Sequence, residues 1–411
     1  MTTKTFTLLF LCAFLVSVAA GQSGGKIAYV RGSTEIRLIN PDGTSDRMLW
    51  TDKALTPELG IFDMAWKPDG TELAFSSAHE QLTSPYVADL YAIRPDGTAL
   101  RKITNPPDRA GLAKLPKGSV TVKVLNNTPA DVGPPTFVIH VEGADEPIQV
   151  SILPGETKTL VFKSVADLGR FPQRITAMYG KYRWFVPGVD VIAGRNVVAP
   201  IFPILDQGFE LLGAFHPVWR ADGSRISFRD GLCVVSSVPA TPSPGSSTFN
   251  PFFSGKAPSG ACSWDWGPTA ALANQVVYTD NYPDSNIFQM TEGGTHPGMK
   301  LTSFNNIPNQ HVKGLHWMPD GSGVLYSTLN LFQDTANIFR YDIATKRTTQ
   351  LTTLEKEFAR AFSVSPDGRS VVFERCPTAE DEAGCNIWVV GTDGKGMHEL
   401  VKNGLRPAWG K

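Results

Sequence analysis

The chain has 411 residues, a formal net charge of −1 and only 19% charged residues. This length is too great for one ordinary core but suits an array of repeats or two domains, and without a basic stripe the chain lacks the electrostatic footprint of a nucleic-acid-binding protein. With 38 Gly, 31 Pro and 10% aromatic residues, the composition is typical of an all-β, turn-rich protein.

The first 20 residues have the pattern of a secretory signal peptide. Lys4 supplies a positive charge, residues 8–18 are an apolar run, and Val18-Ala19-Ala20 resembles a cleavage site. Because the run is too short to span a bilayer as a helix, we predict a signal peptide at residues 1–20. The protein is then periplasmic or secreted, and a retained anchor is the alternative.

From residue 26 onward the chain consists of a repeated unit of four short strands. The second strand has two aliphatic or small residues followed by an aromatic residue. The third strand often begins with a polar residue, which apolar residues follow. The aromatic residues are Tyr29, Phe75, Phe228, Tyr278, Tyr326 and Phe373, and the third strands begin at Glu35, Asp89, Gly231, Asn286, Asn337 and Asn386. Both patterns occur six times. Such repeats predict stacked units, because one unit cannot bury both of its own faces.

Residues 117–205 interrupt the repeat after its first two copies, which occupy residues 26–116. Polar and apolar residues alternate here along seven runs, as in the Val-Thr-Val-Lys-Val sequence at 120–124. This pattern predicts an inserted antiparallel β-sandwich that is immunoglobulin-like or transthyretin-like. Its aromatic residues Tyr179, Tyr182 and Trp184 could form a sugar-binding strip, although core packing is the commoner role for aromatic residues on a strand.

The first strands of the units end at a large residue just before a turn. These residues are Trp66, Trp219, Trp266, Trp317 and Val364. The first unit has no such strand before Ile27, whereas one lies near the C-terminus and ends at Trp409. In a closed ring, that segment completes the first sheet and removes both exposed edges. We therefore predict an all-β, six-bladed β-propeller closed by N/C-terminal strand overlap, with blades 3–6 in residues 206–411.

Two further features are irregular or turn-like. Residues 236–260 are rich in Pro, Ser and Gly and replace a clear fourth strand in the third unit. Pro-Asp-Gly sequences recur at 41–43, 68–70, 95–97, 319–321 and 366–368. Pro presets φ, Asp caps the turn and Gly accepts a positive φ, so we predict turns at these sites rather than calcium ligands.

The four cysteines outside the signal peptide are Cys233, Cys262, Cys376 and Cys385. An even number in an exported chain favours disulfides, with three possible pairings. Cys376 and Cys385 flank one loop of one unit and are the favoured pair, and Cys233 with Cys262 follows by elimination. The tight C-x-x-C spacing of a thiolate metal site is absent, so we predict no metal and no cofactor.

The repeat resembles that of TolB-like propellers. Residues 66–104 carry the pattern WxPDGxxLxF…DLYxxxPDG…RKIT, and residues 315–352 and 362–400 fit it almost as well. The resemblance implies a six-bladed propeller. Such blades occur in binding proteins, in the non-catalytic domain of prolyl oligopeptidase-like enzymes and in some lyases. TolB itself carries an α/β domain before its propeller, for which this chain has no room, and the inserted sandwich is foreign to TolB.

Strand alternation identifies the residues expected at the mouth of the central channel, three positions before the end of each first strand. These are Asp63, His216, Ser263, Gly314, Ala361 and Arg406. Arg406 could bind a carboxylate or backbone oxygen, Asp63 an amine, and His216 either. Lys313 and Arg360, one position earlier, add positive charge. The alternative is that all are solvated polar residues in a wet channel.

The sequence lacks the usual catalytic motifs: it has no G-x-S-x-G, no phosphate-binding Gly loop and no H-E-x-x-H. We therefore expect an exported, monomeric, non-enzymatic scaffold in the cell envelope that binds a protein partner or a peptide or carbohydrate ligand at the channel mouth. The alternative is a metal-assisted polysaccharide lyase or hydrolase that uses His216, or the loop histidines His296 and His311 together with His316. A third hypothesis makes the sandwich a carbohydrate adhesion module.

Overall fold

A computed structural model gives the structure of the protein. It describes residues 24–52, 60–80, 84, 86–129, 136–169, 172–179, 182–205, 209–210, 213–229, 235–246, 263–280, 286–294, 297–303, 310–330 and 334–411. The predicted signal peptide, at residues 1–20, lies outside these ranges. Within them, no helix is long and apolar enough to cross a membrane.

The described chain begins with two antiparallel sheets. Their strands are β1 (Lys26–Arg31), β2 (Glu35–Ile39) and β3 (Arg47–Thr51), then β4 (Ile61–Trp66), β5 (Leu73–Ser77), β6 (Asp89–Ile93) and β7 (Arg101–Lys102). Strands β1 and β5 are the second strands of the repeat. They are buried along almost their whole length because sheets cover both of their faces, which explains why they read as apolar runs without alternation.

A short helix, α1 (Arg109–Lys114), leads into the inserted segment. Its strands are β8 (Lys117–Asn126), β9 (Thr136–Val141), β10 (Ile148–Ser151), β11 (Thr157–Ala166), β12 (Gln173–Tyr179), β13 (Tyr182–Val189), β14 (Asn196–Val198), β15 (Phe202–Ile204) and β16 (Phe209–Glu210). One sheet has the order β10-β9-β12-β13-β16, and the other has β11-β8-β14 with β15 also on β8. The two sheets enclose one core that includes Val122, Phe137, Phe162 and Ile175.

The inserted segment differs from the prediction in two ways. Strands β14 and β15 pair with β8 in parallel, so the pairing is mixed rather than purely antiparallel. The pairing also continues to β16, beyond the predicted end at Leu205. Alternation of apolar residues located seven of the nine strands and missed β15 and β16, and it carries no information about strand direction.

Three more sheets follow the insert. The last has eight strands in two groups of four, which the parallel pair Ala336 and Phe358 joins, and each group is called a sheet below. Their strands are β17 (Phe215–Trp219), β18 (Arg225–Arg229) and β19 (Val235–Pro239); β20 (Trp264–Trp266), β21 (Gln275–Asp280), β22 (Asn286–Thr291) and β23 (Met299–Lys300); β24 (Gln310–Trp317), β25 (Gly323–Asn330), β26 (Thr335–Asp342) and β27 (Arg347–Gln350); and β28 (Phe358–Val364), β29 (Ser370–Cys376), β30 (Asn386–Gly391) and β31 (His398–Lys402). Strand β19 occupies residues that we assigned to the irregular stretch, so that assignment was wrong for Ser236–Pro239.

The last strand, β32 (Leu405–Gly410), pairs with β1 and not with its neighbours in sequence. Trp409 lies opposite Ile27 and Ala408 opposite Ala28, which completes the sheet β3-β2-β1-β32. The sequence analysis predicted this overlap of the two chain ends, because the first unit lacked a first strand and an additional one lay near the C-terminus. The edge of β1 is thereby covered.

We call β32, β4, β17, β20, β24 and β28 the inner strands. Each contacts the next in this order, and β28 contacts β32, so the inner strands form a closed ring. A separate apolar cluster fills each gap between successive sheets; between the last and the first sheet, for example, Val372 and Ile387 pack against Ile27 and Tyr29. Sheets that are packed face to face around a ring define a β-propeller.

The Pro-Asp-Gly sequences form turns. In all five, the aspartate Oδ1 accepts a hydrogen bond from the backbone N–H two residues later, at 2.9–3.1 Å. This is the local geometry expected of an Asp-capped turn. The prediction of a structural role for these aspartates is confirmed.

Candidate functional site

A central cavity of about 790 Å³ runs between the inner strands. All six positions predicted from strand alternation line it, and so does Arg360; the six are Asp63, His216, Ser263, Gly314, Ala361 and Arg406. Lys313 lies in β24 next to Gly314, but its side chain is outside the described part of the structure. The structure thus brings the predicted residues of all six inner strands together.

Five of the inner strands contain a β-bulge at the predicted position. These strands are β4, β17, β24, β28 and β32, and each has one extra residue opposite its partner strand. The extra residue is the predicted one or its neighbour, and the predicted residues are, in the same order, Asp63, His216, Gly314, Ala361 and Arg406. A bulge twists the strand and re-aims its side chains. Three of these residues have positive φ: His216 (53°), Gly314 (71°) and Arg406 (51°). Residues other than glycine seldom adopt such backbone angles, and strained residues of this kind are enriched at functional sites.

The carboxylate of Asp63 is held by the neighbouring inner strand. Its Oδ2 accepts a hydrogen bond from the backbone N–H of His216 at 3.2 Å. The side chain keeps some contact with the cavity, while protein surrounds it on its other sides. Burial raises the pKa of Asp63, and the positive charges of Arg229 and Arg406 and the His216 N–H act in the opposite direction.

The imidazole of His216 is a neutral group inside the cavity. Burial, together with the positive charge of Arg229, lowers the pKa of His216 to about 3. Its ring packs edge-on against Trp264, with centroids 5.2 Å apart. Its Nε2 atom is buried and has no hydrogen-bond partner among the described residues. A neutral imidazole nitrogen of this kind can accept or donate one hydrogen bond, depending on the tautomer.

Arg406 and Arg360 surround a buried carboxylate, Glu374 of β29. Glu374 Oε1 accepts the backbone N–H of Arg406, and Oε2 lies 3.4 Å from Arg360 Nε. Burial raises the pKa of Glu374, and the two guanidinium groups oppose that shift. The Nη2 atom of Arg406 pairs with Glu382, whereas its Nη1 atom is buried without a partner in the described part of the chain.

The fourth and fifth inner strands contribute smaller groups. Ser263 Oγ accepts the backbone N–H of Gly314 at 3.2 Å, so the serine fixes the neighbouring bulge. Asp265 accepts the backbone N–H groups of Trp266 at 2.9 Å and Trp317 at 2.8 Å. The Ser263–Gly314 and Asp265–Trp317 hydrogen bonds connect adjacent parts of the cavity wall.

The sequence analysis missed three charged residues near the cavity: Arg229, Asp265 and Glu374. Arg229 and Glu374 each follow the aromatic residue of a second strand, a position where other units have Ser76, Thr279 or Ser327. A charged residue after the aromatic residue therefore differs from the small polar residue that these other units have there. The comparison between units that identified Asp63 and Arg406 would have identified Arg229 and Glu374 if it had included the second strands, whereas Asp265 lies on the inner strand β20.

The described residues contain no cluster of three or more potential metal ligands. His316 lies 3.7 Å from Asp265 Oδ2 and packs edge-on against Phe362. His296 is outside the described residues, and so is the side chain of His311. The prediction that His311 lies in a loop was wrong, because its backbone belongs to β24.

Two other predictions concern cysteines and aromatic residues. Cys376 and Cys385 form a disulfide, as predicted. Cys233 and Cys262 lie outside the described residues. In the insert, Trp184 is buried and donates its Nε1–H to the Leu205 carbonyl at 3.0 Å, whereas Tyr179 is partly exposed. Trp184 is a core residue, which removes it from the hypothetical sugar-binding strip.

Comparison with known proteins gives structural neighbours. The chain is similar to TolB from Acinetobacter baumannii, at 14% identity over 95% of this chain and 67% of that one, with a TM-score of 0.42. It is also similar to a putative TolB from Agrobacterium tumefaciens, at 12% identity over 92% and 88%, with a TM-score of 0.43. A third neighbour is an oligogalacturonate lyase in complex with manganese, at 13% identity over 92% and 86%, with a TM-score of 0.39.

The predicted resemblance to TolB-like propellers is confirmed. No protein-family model matches the sequence, and no curated protein does. The propeller architecture rests on the strand pairing and the closed ring described above.

Proposed function

We propose that this protein is an exported, non-enzymatic binding propeller whose ligand or partner inserts a chemical group into the central cavity. One observation carries the proposal: bulged inner strands direct polar side chains into one cavity, where His216 Nε2 and Arg406 Nη1 are buried without partners among the described residues. Leaving a buried polar atom unpaired costs about 1–3 kcal/mol, so a ligand that pairs with it recovers that free energy.

Each residue has a role in this proposal that follows from its chemistry. Arg406 binds an anionic group, Asp63 a cationic group or a hydrogen-bond donor, and neutral His216 a single hydrogen-bond partner. Ser263 fixes the backbone of the neighbouring strand. Lys313 and Arg360 add positive charge beside these positions.

The finer architecture belongs to the same proposal. We assign six blades, with blades 1–2 in residues 26–116, blades 3–6 in residues 206–411, and an immunoglobulin-like or transthyretin-like sandwich in residues 117–205. Six inner strands in a closed ring and six apolar clusters between sheets support the blade count. The two sheets that share a separate core support the sandwich.

The proposed location is the periplasm or the extracellular space. The signal-peptide pattern at residues 1–20 and the Cys376–Cys385 disulfide support it, because structural disulfides form in oxidising compartments. The partner is then an envelope or secreted protein, or a peptide or carbohydrate ligand. We expect a monomer that does not bind nucleic acid.

A steric plug tests this proposal whatever the ligand is. Ala361 lines the cavity, so Ala361→Trp should fill it and abolish the capture of envelope components by the immobilised mature protein. The matched control is Ala344→Trp, at an exposed turn after β26. Captured molecules are identified by mass spectrometry for the wild type and both variants, with circular dichroism to verify folding.

The expected result is that the wild type and Ala344→Trp retain the same molecule and Ala361→Trp does not. Equal retention by all three proteins would show that binding occurs outside the cavity. Turnover of a polyuronate that requires a stoichiometric divalent metal would replace the binding function with the lyase alternative.

A further inference from the structure

The loop between β29 and β30 reaches the mouth of the central cavity. The Cys376–Cys385 disulfide closes it at its base. We call residues 377–384 the disulfide loop. They are exposed except for partly buried Glu382, and Ala379 lines the cavity. Because the disulfide ties both ends of a short segment together, the loop is kept at the cavity mouth.

Two arginines of the inner strands hold the disulfide loop. Arg360 Nη1 donates to the backbone carbonyl of Asp381 at 2.8 Å. Arg406 Nη2 pairs with Glu382 Oε1, and the other oxygen of Glu382 lies 3.5 Å from Ser33 Oγ. The loop therefore places a carboxylate on the guanidinium that projects into the cavity.

The guanidinium of Arg406 has an N–H donor that no described residue pairs with. Its Nη1 atom is buried and unpaired within the described residues. The buried carboxylate of Glu374 contacts the backbone of Arg406 and the side chain of Arg360. A guanidinium binds a carboxylate best through two parallel N–H groups. Glu382 occupies only Nη2, so its bond with Arg406 is incomplete.

We propose that the cavity binds a small molecule through a carboxylate group that replaces Glu382 on Arg406. This inference rests on the proposed binding function and names the chemistry of the ligand. Exchange of one carboxylate for another keeps an anion in direct contact with Arg406, whereas a neutral ligand that displaced Glu382 would remove the one carboxylate paired with this largely buried guanidinium among the described residues. The cavity, at about 790 Å³, lies within the usual range of small-molecule sites.

In this proposal the disulfide loop is an internal competitor. Glu382 pairs with the guanidinium of Arg406 when no ligand is present, and the disulfide keeps Glu382 near this guanidinium. Removing the charge of Glu382 should therefore strengthen ligand binding. This direction is opposite to the one expected if Glu382 only stabilised the site, since loss of a structural contact would weaken binding.

The test measures binding of two acids and their neutral counterparts by calorimetry at pH 7 with the mature protein. The probes are glucuronate against glucose, and acetyl-dialanine against its amide, which separates a sugar acid from a peptide acid. The variants are Glu382→Gln and Arg406→Gln. The matched control is Glu380→Gln, on the same loop and exposed.

We expect at least one acid to bind the wild type and its neutral counterpart not to bind. Glu382→Gln should bind that acid at least about tenfold more tightly, as removal of a charged competitor implies, and Arg406→Gln should not bind it. Glu380→Gln should match the wild type. Melting temperatures of all variants identify any loss of folding.

Three results would overturn the inference. These are unchanged or weaker binding in Glu382→Gln, equal binding of an acid and its neutral counterpart, and no binding of either acid to the wild type or to Glu382→Gln. None of them affects the proposed function, which fails if Ala361→Trp retains the captured molecule or if the protein turns over a polyuronate with a stoichiometric divalent metal.

Discussion

His216 shows how a single residue is adjusted by its surroundings. A histidine normally titrates near neutral pH, but burial and the charge of Arg229 keep this one neutral. Its positive φ also places the ring in the cavity through a backbone conformation that only a few residue types adopt readily. A ligand that contacts Nε2 would therefore meet the same uncharged group throughout the physiological pH range.

The lowered pKa of His216 predicts a specific pH dependence of stability. Between about pH 3 and its ordinary pKa of 6.5, the unfolded chain binds a proton that the folded chain does not. This contribution to stability is therefore present above pH 6.5 and is lost as the pH falls. From pH 7.5 to pH 5, the wild type should lose about 2 kcal/mol more unfolding free energy than His216→Asn.

Urea denaturation of both proteins across this pH range provides the measurement. Asn tolerates a positive φ, so the backbone is kept. The neighbouring titratable groups Asp63, Asp265 and His316 are retained in both proteins and cancel in the difference. Parallel pH profiles would mean that His216 has the same pKa in the folded and the unfolded chain.

At the scale of the element, the bulge is the device that builds the site. In β24 it requires a glycine, because Gly314 has a φ of 71° and a Cβ atom there would lie 2.7 Å from Phe362. Gly314→Ala should therefore lower the unfolding free energy by roughly 1–3 kcal/mol, from backbone strain and the contact with Phe362. Thermal denaturation measures the change. The control is Gly293→Ala, at a turn where φ is 72° and nothing lies close to the added Cβ atom. The difference between the two variants measures the cost of the contact with Phe362. An equal loss of unfolding free energy in both would mean that backbone strain alone causes it.

The elements were largely predictable from the sequence, and the contacts between them less so. Trp66, Trp219 and Trp317 mark the ends of inner strands, and counting back from them found the residues that line the cavity because side chains alternate in a strand. The bulges were not predicted, since they depend on neighbouring strands. Glu382 was missed because the direction of a loop side chain is set by contacts distant in sequence. The parallel pairing of β14 with β8 was missed for the same reason, because strand direction also depends on contacts distant in sequence.

At the scale of the whole molecule, the ring and the insert have separate cores. Trp409 is buried where β32 closes the ring, and Phe137 is buried in the insert. We predict two calorimetric transitions. Trp409→Ala should lower one midpoint and Phe137→Ala the other, each corresponding to about 3–5 kcal/mol for loss of a buried aromatic side chain.

Val198→Ala, at an exposed position of the insert, is the control and should leave both midpoints unchanged. A single transition that both core variants shift together would show that the ring and the insert unfold as one cooperative unit.

The pairing of β32 with β1 also sets an order of events during biosynthesis. Residues 26–31 leave the ribosome long before residues 405–410, yet they share one sheet. The earliest strands must therefore wait, with one edge uncovered, until nearly the entire polypeptide has been made. For the exported protein that we propose, this order means that the chain stays threadable through a translocation pore and closes its ring only on the far side of the membrane.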